Sequence, residues 1–349
     1  MTETRNRRFP VALTADLLGA DGKPKFADIG LSVLTSVPGV EAVSMGEFYP
    51  VVRPEQLQGA SGAIVMDAGI DSRSVSESKD LLAIARFGVG YNDIDVAACT
   101  AADIVFFNAV GGVERSMAEA TVGWMIALGH HFRMKDLLVR SGQWSLAPRF
   151  VGLELRDRTF GSVGFGGIAR ATVELLKGFG MSQPIAFDPF VDPALAQRLG
   201  VRMVSLEELM QQADFVSIHC PLNSNTRNLV GQRELALMKT TAFLINTARG
   251  GIVNEDALFE SLEENRIAGA ALDVFVGEPF DQPHRFGTLD NVLLAPHAVG
   301  LTHEILRDMG RVSCKGIVDI ASGRRPNHVI NPEVFDHPGF REKWKRLQL

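Results

Sequence analysis

The stretch "TFGSVGFGGIARATVELLKGFG" limits the folds open to this 349-residue chain more than any other. An apolar run leads into Gly164, Gly166 follows, Ala169 completes a G-x-G-x-x-A spacing, and an amphipathic helical pattern begins at once. Strand, tight turn and helix in that order open a βαβ unit whose turn faces an anion. Gly164 permits the turn, Gly166 lets backbone N–H groups approach a pyrophosphate, and a small residue at 169 lets the helix pack close to the strand. The second "GFG", at 178–180, closes that helix and reads as a C-cap. About twenty residues beyond the loop, "PIAFDPF" ends a short strand in Asp188, where a carboxylate can bind the ribose hydroxyls of a dinucleotide. The competing reading is a turn aspartate before proline. A carboxylate there repels a 2'-phosphate and "PFVD" supplies no Lys or Arg, so the expected cofactor is NAD rather than NADP.

The same alternation extends in both directions. From Phe9 to about Gly111 the runs "FPVALTA", "EAVSM", "GAIVM", "LLAIARF" and "DIVFFNA" read as strands with helices between them. "SMAEATVGWMIALGHHFRMKDLLVRSG" reads as one long connecting helix, and seven further strands run from "TFGSVGFG" to "NVLLAP". Such order predicts α/β architecture with two doubly wound parallel-sheet domains. The tail "REKWKRLQL" reads as a surface helix or frayed end. A formal charge of -6 argues against nucleic acid as a partner. Three widely spaced cysteines without a C-x-x-C pair suggest neither disulfide framework nor zinc. No apolar run approaches the ~18 residues of a membrane span, and the start of the chain lacks an export-signal core, so a soluble cytoplasmic protein is expected.

Ligands of an open parallel sheet bind at the carboxyl ends of its strands. Three of the later strands deliver a charged or titratable group there: Arg249 after "AFLINTA", Asp273 within "GAALDVF" with Glu278 just beyond, and His297 after "NVLLAP". Each has a plain alternative, as a solvated loop arginine, a turn carboxylate before proline, or a packing histidine. Together they suit one chemistry. Arg249 can hold a carboxylate bidentately and polarise an adjacent carbonyl. His297 can exchange a proton with the carbonyl or alcohol oxygen as hydride moves, and Glu278 can orient and tune the imidazole. With a nicotinamide, which carries the hydride chemistry, this describes a 2-hydroxy acid dehydrogenase.

The ordered motifs "LLAIARFGVGYNDID", "GSVGFGGIA", "ADFVSIHCPLNSNTRNLV", "LINTARGGIVNEDAL", "GAALDVFVGEP" and "APHAVG" resemble the D-isomer-specific 2-hydroxyacid dehydrogenases, including glyoxylate/hydroxypyruvate reductases and phosphoglycerate dehydrogenases. The resemblance implies a flavodoxin-like substrate-binding domain over 1–113 and 308–349, and a Rossmann NAD-binding domain over 114–307 inserted into it. It assigns catalysis to Arg249, Glu278 and His297, and the substrate carboxylate to the backbone of Val89 and Gly90. Around the cofactor it places Gly164, Phe165, Gly166, Gly167 and Ile168 at the pyrophosphate and Asp188 at the ribose. Cys220, Pro221 and Thr226 fall on the adenosine side, and Thr247, Ala248, Arg249, Asp273, His297 and Gly300 toward the nicotinamide. It also implies homodimers formed through the cofactor domain.

Two departures carry information. Gly167 stands where the family often has a basic residue, which leaves the phosphates to backbone alone. In "IVMDAG", Met66 and Asp67 occupy a substrate-side position where phosphoglycerate dehydrogenases resemble one another in carrying arginine, so an unphosphorylated substrate ranks above 3-phosphoglycerate unless Arg73 or Arg86 compensates. Glutamate rather than glutamine at 278 speaks against a formate dehydrogenase. Phosphoglycerate dehydrogenase activity stays as an alternative, and from another class so does a dinucleotide-sensing, corepressor-like interaction protein. No metal is expected, because the eight histidines form no i, i+4 ligand pair on a helix.

Overall fold

The computed structural model describes residues 8–349. The chain divides into two compact units, one running up to Val113 and resuming at Leu301–Leu349, the other Glu114–Gly300. The return crossing precedes the helix His303–Ala321, which lies wholly in the first unit. The expected boundary at 307/308 would have cut that continuous rod.

In the first unit, β1 (Phe9–Leu13), β2 (Val40–Ser44), β3 (Gly62–Val65), β4 (Ala83–Arg86) and β5 (Val105–Phe107) form a parallel sheet ordered β2-β1-β3-β4-β5. The order reverses between β1 and β3, the position at which open α/β sheets bind ligands. The helix His303–Ala321 covers β3 and β4, with Ile317 and Ile320 buried. The C-terminal segment is docked rather than frayed: Phe340 and Trp344 pack on Phe335, and Lys343 Nζ donates to the carbonyls of Leu81 and Ala102 at 2.8 and 3.0 Å.

In the second unit, β6 (Phe160–Val163), β7 (Ile185–Phe187), β8 (Arg202–Met203), β9 (Phe215–Ile218), β10 (Phe243–Asn246), β11 (Gly269–Leu272) and β12 (Val292–Leu294) give the parallel order β12-β11-β10-β9-β6-β7-β8. β6, β9, β10 and β11 are buried along their whole length, as strands covered on both faces must be, which explains their largely apolar sequence. Val163 pairs with Ile218, Ile218 with Asn246, Asn246 with Leu272 and Leu272 with Leu294. That register brings the carboxyl ends of five strands level, so the residues just after them share one edge. The long helix expected before this sheet is two, Glu114–Gly129 and Phe132–Arg140. His131 breaks it with φ of 54°, and Leu153 N–H reaches the Gly129 carbonyl at the break.

Candidate active site and cofactor cradle

At the edge after β12 the backbone turns sharply and presents His297 in the left-handed region, φ 54°. A non-glycine residue holds that conformation only where its surroundings fix it. Asp273, at the end of β11, does the fixing. Its carbonyl accepts from His297 N–H at 2.8 Å, and its Oδ1 accepts from Ala298 and Val299 N–H at 2.8 and 3.0 Å. Burial pushes the Asp273 carboxyl up, against the amides of Val299 and Ala298, which pull it down. The sequence placed Asp273 at the nicotinamide end. The structure commits its Oδ1 to the histidine turn, so Asp273 is a positioning residue, a role visible only once β11 and β12 are neighbours.

His297 Nδ1 lies 2.6 Å from Glu278 Oε1, and Glu278 Oε2 accepts from Phe275 N–H at 2.8 Å. Both carboxylate oxygens are therefore held and the ring is oriented, leaving Nε2 for chemistry. Burial alone would raise the Glu278 carboxyl, but the His297 hydrogen bond, the Phe275 amide and the charges of His297 and Arg249 outweigh it and hold it below the usual range. The field of Arg249 at Glu278 brings the three predicted catalytic residues into one site. Arg249 follows β10 in a turn tied by Asn246, whose Nδ2 donates to the Arg249 carbonyl at 3.0 Å and whose Oδ1 accepts from Ala248 N–H at 3.1 Å. The sequence reading passed over Asn246, though an asparagine ending a strand before a turn is a recognisable signal. Glu255 was also missed: its Oε1 accepts from Val276 N–H at 2.7 Å and secures the loop that carries Glu278. Gly300 closes the histidine turn, its carbonyl accepting from the Ser116 hydroxyl at 2.6 Å.

The cradle for a dinucleotide lies on the same edge, at the reversal between β6 and β9. Gly164 has φ of 91°, and a Cβ there would stand 2.7 Å from Cys220 N, so this position requires glycine. The helix Gly167–Leu176 begins at Gly166 without any side-chain cap, and space beside Gly166 is open. An uncapped helix N-terminus with room above it fits a pyrophosphate. Phe165 differs from expectation, since its N–H donates to Asp188 Oδ2 at 2.8 Å and its ring is buried. That leaves the amides of Gly166, Gly167 and Ile168 as the groups that could hold the anion. Asp188 Oδ1 accepts from Phe190 N–H at 2.8 Å, and each oxygen keeps a lone pair for a ribose hydroxyl. Thr226 Oγ1 donates to the Pro221 carbonyl at 2.6 Å and shapes the loop after Cys220. Burial pushes the Cys220 thiol up to about 11, which makes it inert. Thr247 Oγ1 is buried and without a protein partner among the described residues, an orphan on the edge a cofactor would cover. These features fit NAD.

The first unit offers a candidate anion seat of its own. The Gly88 carbonyl accepts from Ala109 N–H at 2.9 Å, the Val89 carbonyl from Asn108 Nδ2 at 2.8 Å and the Gly90 carbonyl from Arg86 Nε at 3.0 Å. With the carbonyls turned inward, the amides of Val89 and Gly90 are the groups left to meet an anion. Arg86 is tied to this loop. Past β3, Met66 N–H donates to Thr14 Oγ1 at 3.2 Å and Asp67 N–H to Asp16 Oδ2 at 2.7 Å. The Asp16 carboxylate is thus held on the Asp67 backbone, at the position where the resemblance looks for a phosphate-binding arginine. Among the described residues no group of His, Cys, Asp and Glu could hold a metal ion.

A doubly wound sheet with a glycine cradle and an Arg–Glu–His edge defines the class as a dinucleotide-dependent oxidoreductase. Residues 122–299 match the NAD-binding domain of the D-isomer specific 2-hydroxyacid dehydrogenases. The chain is 35% identical over 272 residues to glyoxylate reductase of Thermococcus litoralis, covering 76% of this chain and 82% of that one. It is 36% identical over 279 residues to D-3-phosphoglycerate dehydrogenase of Methanocaldococcus jannaschii, covering 79% of this chain but only 53% of that longer relative. Among solved structures, the TT0316 protein of Thermus thermophilus superposes with a TM-score of 0.79 at 28% identity, over 92% of this chain and 100% of that one. The chain belongs to the D-isomer specific 2-hydroxyacid dehydrogenase family and is an NAD-dependent enzyme of that kind.

Proposed function

We propose that the protein interconverts a small, unphosphorylated D-2-hydroxy acid and its 2-oxo acid. The observation that carries this reading is the pairing of His297 with Glu278 within the field of Arg249. NAD, when bound, accepts or supplies the hydride. The chain's own residues do the rest: Arg249 grips the substrate carboxylate, and Nε2 of His297 gives a proton to the carbonyl oxygen or takes one from the alcohol. Glu278 holds the ring and offsets its charge. The Val89 and Gly90 amides are assigned as a seat for a carboxylate. The Asp16 carboxylate, held on the Asp67 amide, favours an uncharged substituent over a phosphate, which ranks 3-phosphoglycerate lower. Asp188 favours NAD over NADP. A panel of glyoxylate, hydroxypyruvate, pyruvate, 3-phosphohydroxypyruvate and longer 2-oxo acids, followed by NADH absorbance, tests the proposal. Turnover of none, or of the phosphorylated acid alone, overturns it.

The second unit is proposed to form the contact of a homodimer. Between residues 132 and 151 it exposes Phe132, Val139, Trp144 and Val151, the last two at 69% and 81% of their surface. Light scattering coupled to gel filtration checks the mass, and Trp144→Asp shifts it toward monomer. No described helix is long and apolar enough to cross a membrane. We assign the protein to the cytoplasm, where NADH and reduced thiols coexist.

A further inference from the structure

The loop that carries Glu278 rests on a side chain that has no part in the chemistry above. Phe275 and Phe280 bracket Glu278 in the sequence, and both rings pack on one imidazole, that of His284. The ring centroids lie 4.8 Å apart for Phe275 and 4.9 Å for Phe280, and the two phenylalanines meet each other edge-on at 5.5 Å. His284 also packs on Phe286 at 5.3 Å, a ring wholly buried in the core of the second unit. It thus joins the Glu278 loop to that core. Among the described residues neither nitrogen of His284 makes a hydrogen bond. Nδ1 is buried without a partner, and Nε2 stands 3.8 Å from Glu255 Oε2, beyond hydrogen-bond range. Burial pushes the ring below the usual imidazole value, against the pull of Glu255, and so favours its neutral form. The faces of the ring, rather than its nitrogens, hold it in place.

We propose that His284 is a positioning residue whose stacked ring fixes Phe275 and Phe280 so that Glu278, between them, meets His297. The chain of contacts is short. Phe275 N–H donates to Glu278 Oε2 at 2.8 Å, so a shift of Phe275 shifts the carboxylate, whose other oxygen lies 2.6 Å from His297 Nδ1. Glu255 holds the intervening Val276 amide at 2.7 Å. Hydrogen bonds weaken steeply with distance and angle. A loop that drifts therefore releases the imidazole, and its proton moves from Nδ1 to Nε2, where the neutral ring can no longer accept one from an alcohol. The catalytic side of this inference rests on reading His297 as the acid–base.

The test is long-range nitrogen–proton NMR of the full chain carrying isotope-labelled histidine, at alkaline pH where imidazoles are neutral. It reports which ring nitrogen holds the proton, and the His297 signal is identified by its absence in His297→Ala. Wild type is expected to hold that proton on Nδ1. In His284→Leu it shifts toward Nε2, and kcat for glyoxylate reduction by NADH falls about tenfold with KM within about twofold. Phe280→Ala strips one exposed ring from the stack without entering the core and shifts the tautomer the same way. His284→Phe keeps the stacked ring and recovers the Nδ1 signal and most of the kcat. Phe259→Leu removes a ring from the far end of the same row, where it packs on Phe286 at 5.8 Å. It lowers the urea midpoint but leaves the tautomer and kcat unmoved. A wild-type ring protonated on Nε2 overturns the proposal, as does an unaltered tautomer in His284→Leu or in Phe280→Ala. So does a loss in His284→Phe as large as in His284→Leu, or a like loss from Phe259→Leu. His297→Ala separates the two readings. If it reduces glyoxylate as wild type does, the acid–base reading falls whatever the tautomer shows. If it is inactive while His284→Leu keeps the Nδ1 proton and full kcat, only the role of His284 falls.

Discussion

Two histidines stand at strand ends on the same edge of the same sheet, and they have opposite fates. His219 follows β9, with its Nε2 2.9 Å from the Ser217 hydroxyl, and burial pushes it down to about 4. Its ring is thus kept neutral well below the usual imidazole range. His297 follows β12 with a side chain 47% exposed, a strained backbone and a carboxylate on Nδ1. Position at a strand end therefore does not by itself suit a histidine to proton transfer. A charged partner, solvent access and a backbone held in place by a third residue set His297 apart.

The sharpest way to break this contrast is His297→Ala. Turnover in steady-state assays should fall by about 10²- to 10⁴-fold while NADH binding persists. Near-normal turnover would remove the acid–base assignment. Glu278→Gln keeps the shape and one acceptor but removes the charge that steadies a protonated ring. A kcat loss of roughly ten- to a hundredfold is expected, with substrate KM changed far less. An unchanged kcat would reduce Glu278 to a loop residue.

Asp273→Ala leaves the amides of Ala298 and Val299 without their acceptor and frees His297 from its left-handed backbone. We expect a loss of about 1–3 kcal/mol in urea unfolding and about a tenfold fall in kcat. A stability loss with full activity would show that the turn holds without its anchor.

His219→Gln is the mildest, with kcat within about twofold of wild type. Its signature lies in stability. The folded chain binds the His219 proton near pH 4 and the unfolded chain near 6.5. Between those values the unfolded state takes up more protons, so stability rises with pH through the window and acidification removes up to roughly 3 kcal/mol. The variant should lose that slope between pH 4 and 6.5 in urea titrations. An unaltered slope would mean that His219 is not the group buried neutral.

Much of the architecture was legible because its signals are local. Strands buried on both faces show as apolar runs, and the Gly164 turn needs glycine for reasons internal to a few residues. Arg249, Glu278 and His297 were legible because parallel strands deliver their following residues to one edge. The break at His131 was not, since it depends on Leu153 crossing at Gly129. The docked C-terminal helix was not either, because its polar sequence hides Phe340, Lys343 and Trp344, which meet Phe335, Leu81 and Ala102 only after folding.

By itself the sequence determined the fold class and the glycine turn, and it nominated Arg249, Glu278 and His297, since periodicity, glycine spacing and side-chain type are properties of short segments. Tertiary structure alone decided which strand-end histidine meets a carboxylate and what Asp273 holds. It also decided which amide of the glycine loop is already taken. Each of these depends on distances between residues far apart in the chain. Hydrogen bonds and local fields fall off within a few ångströms, so only the packed strands and helices could settle them.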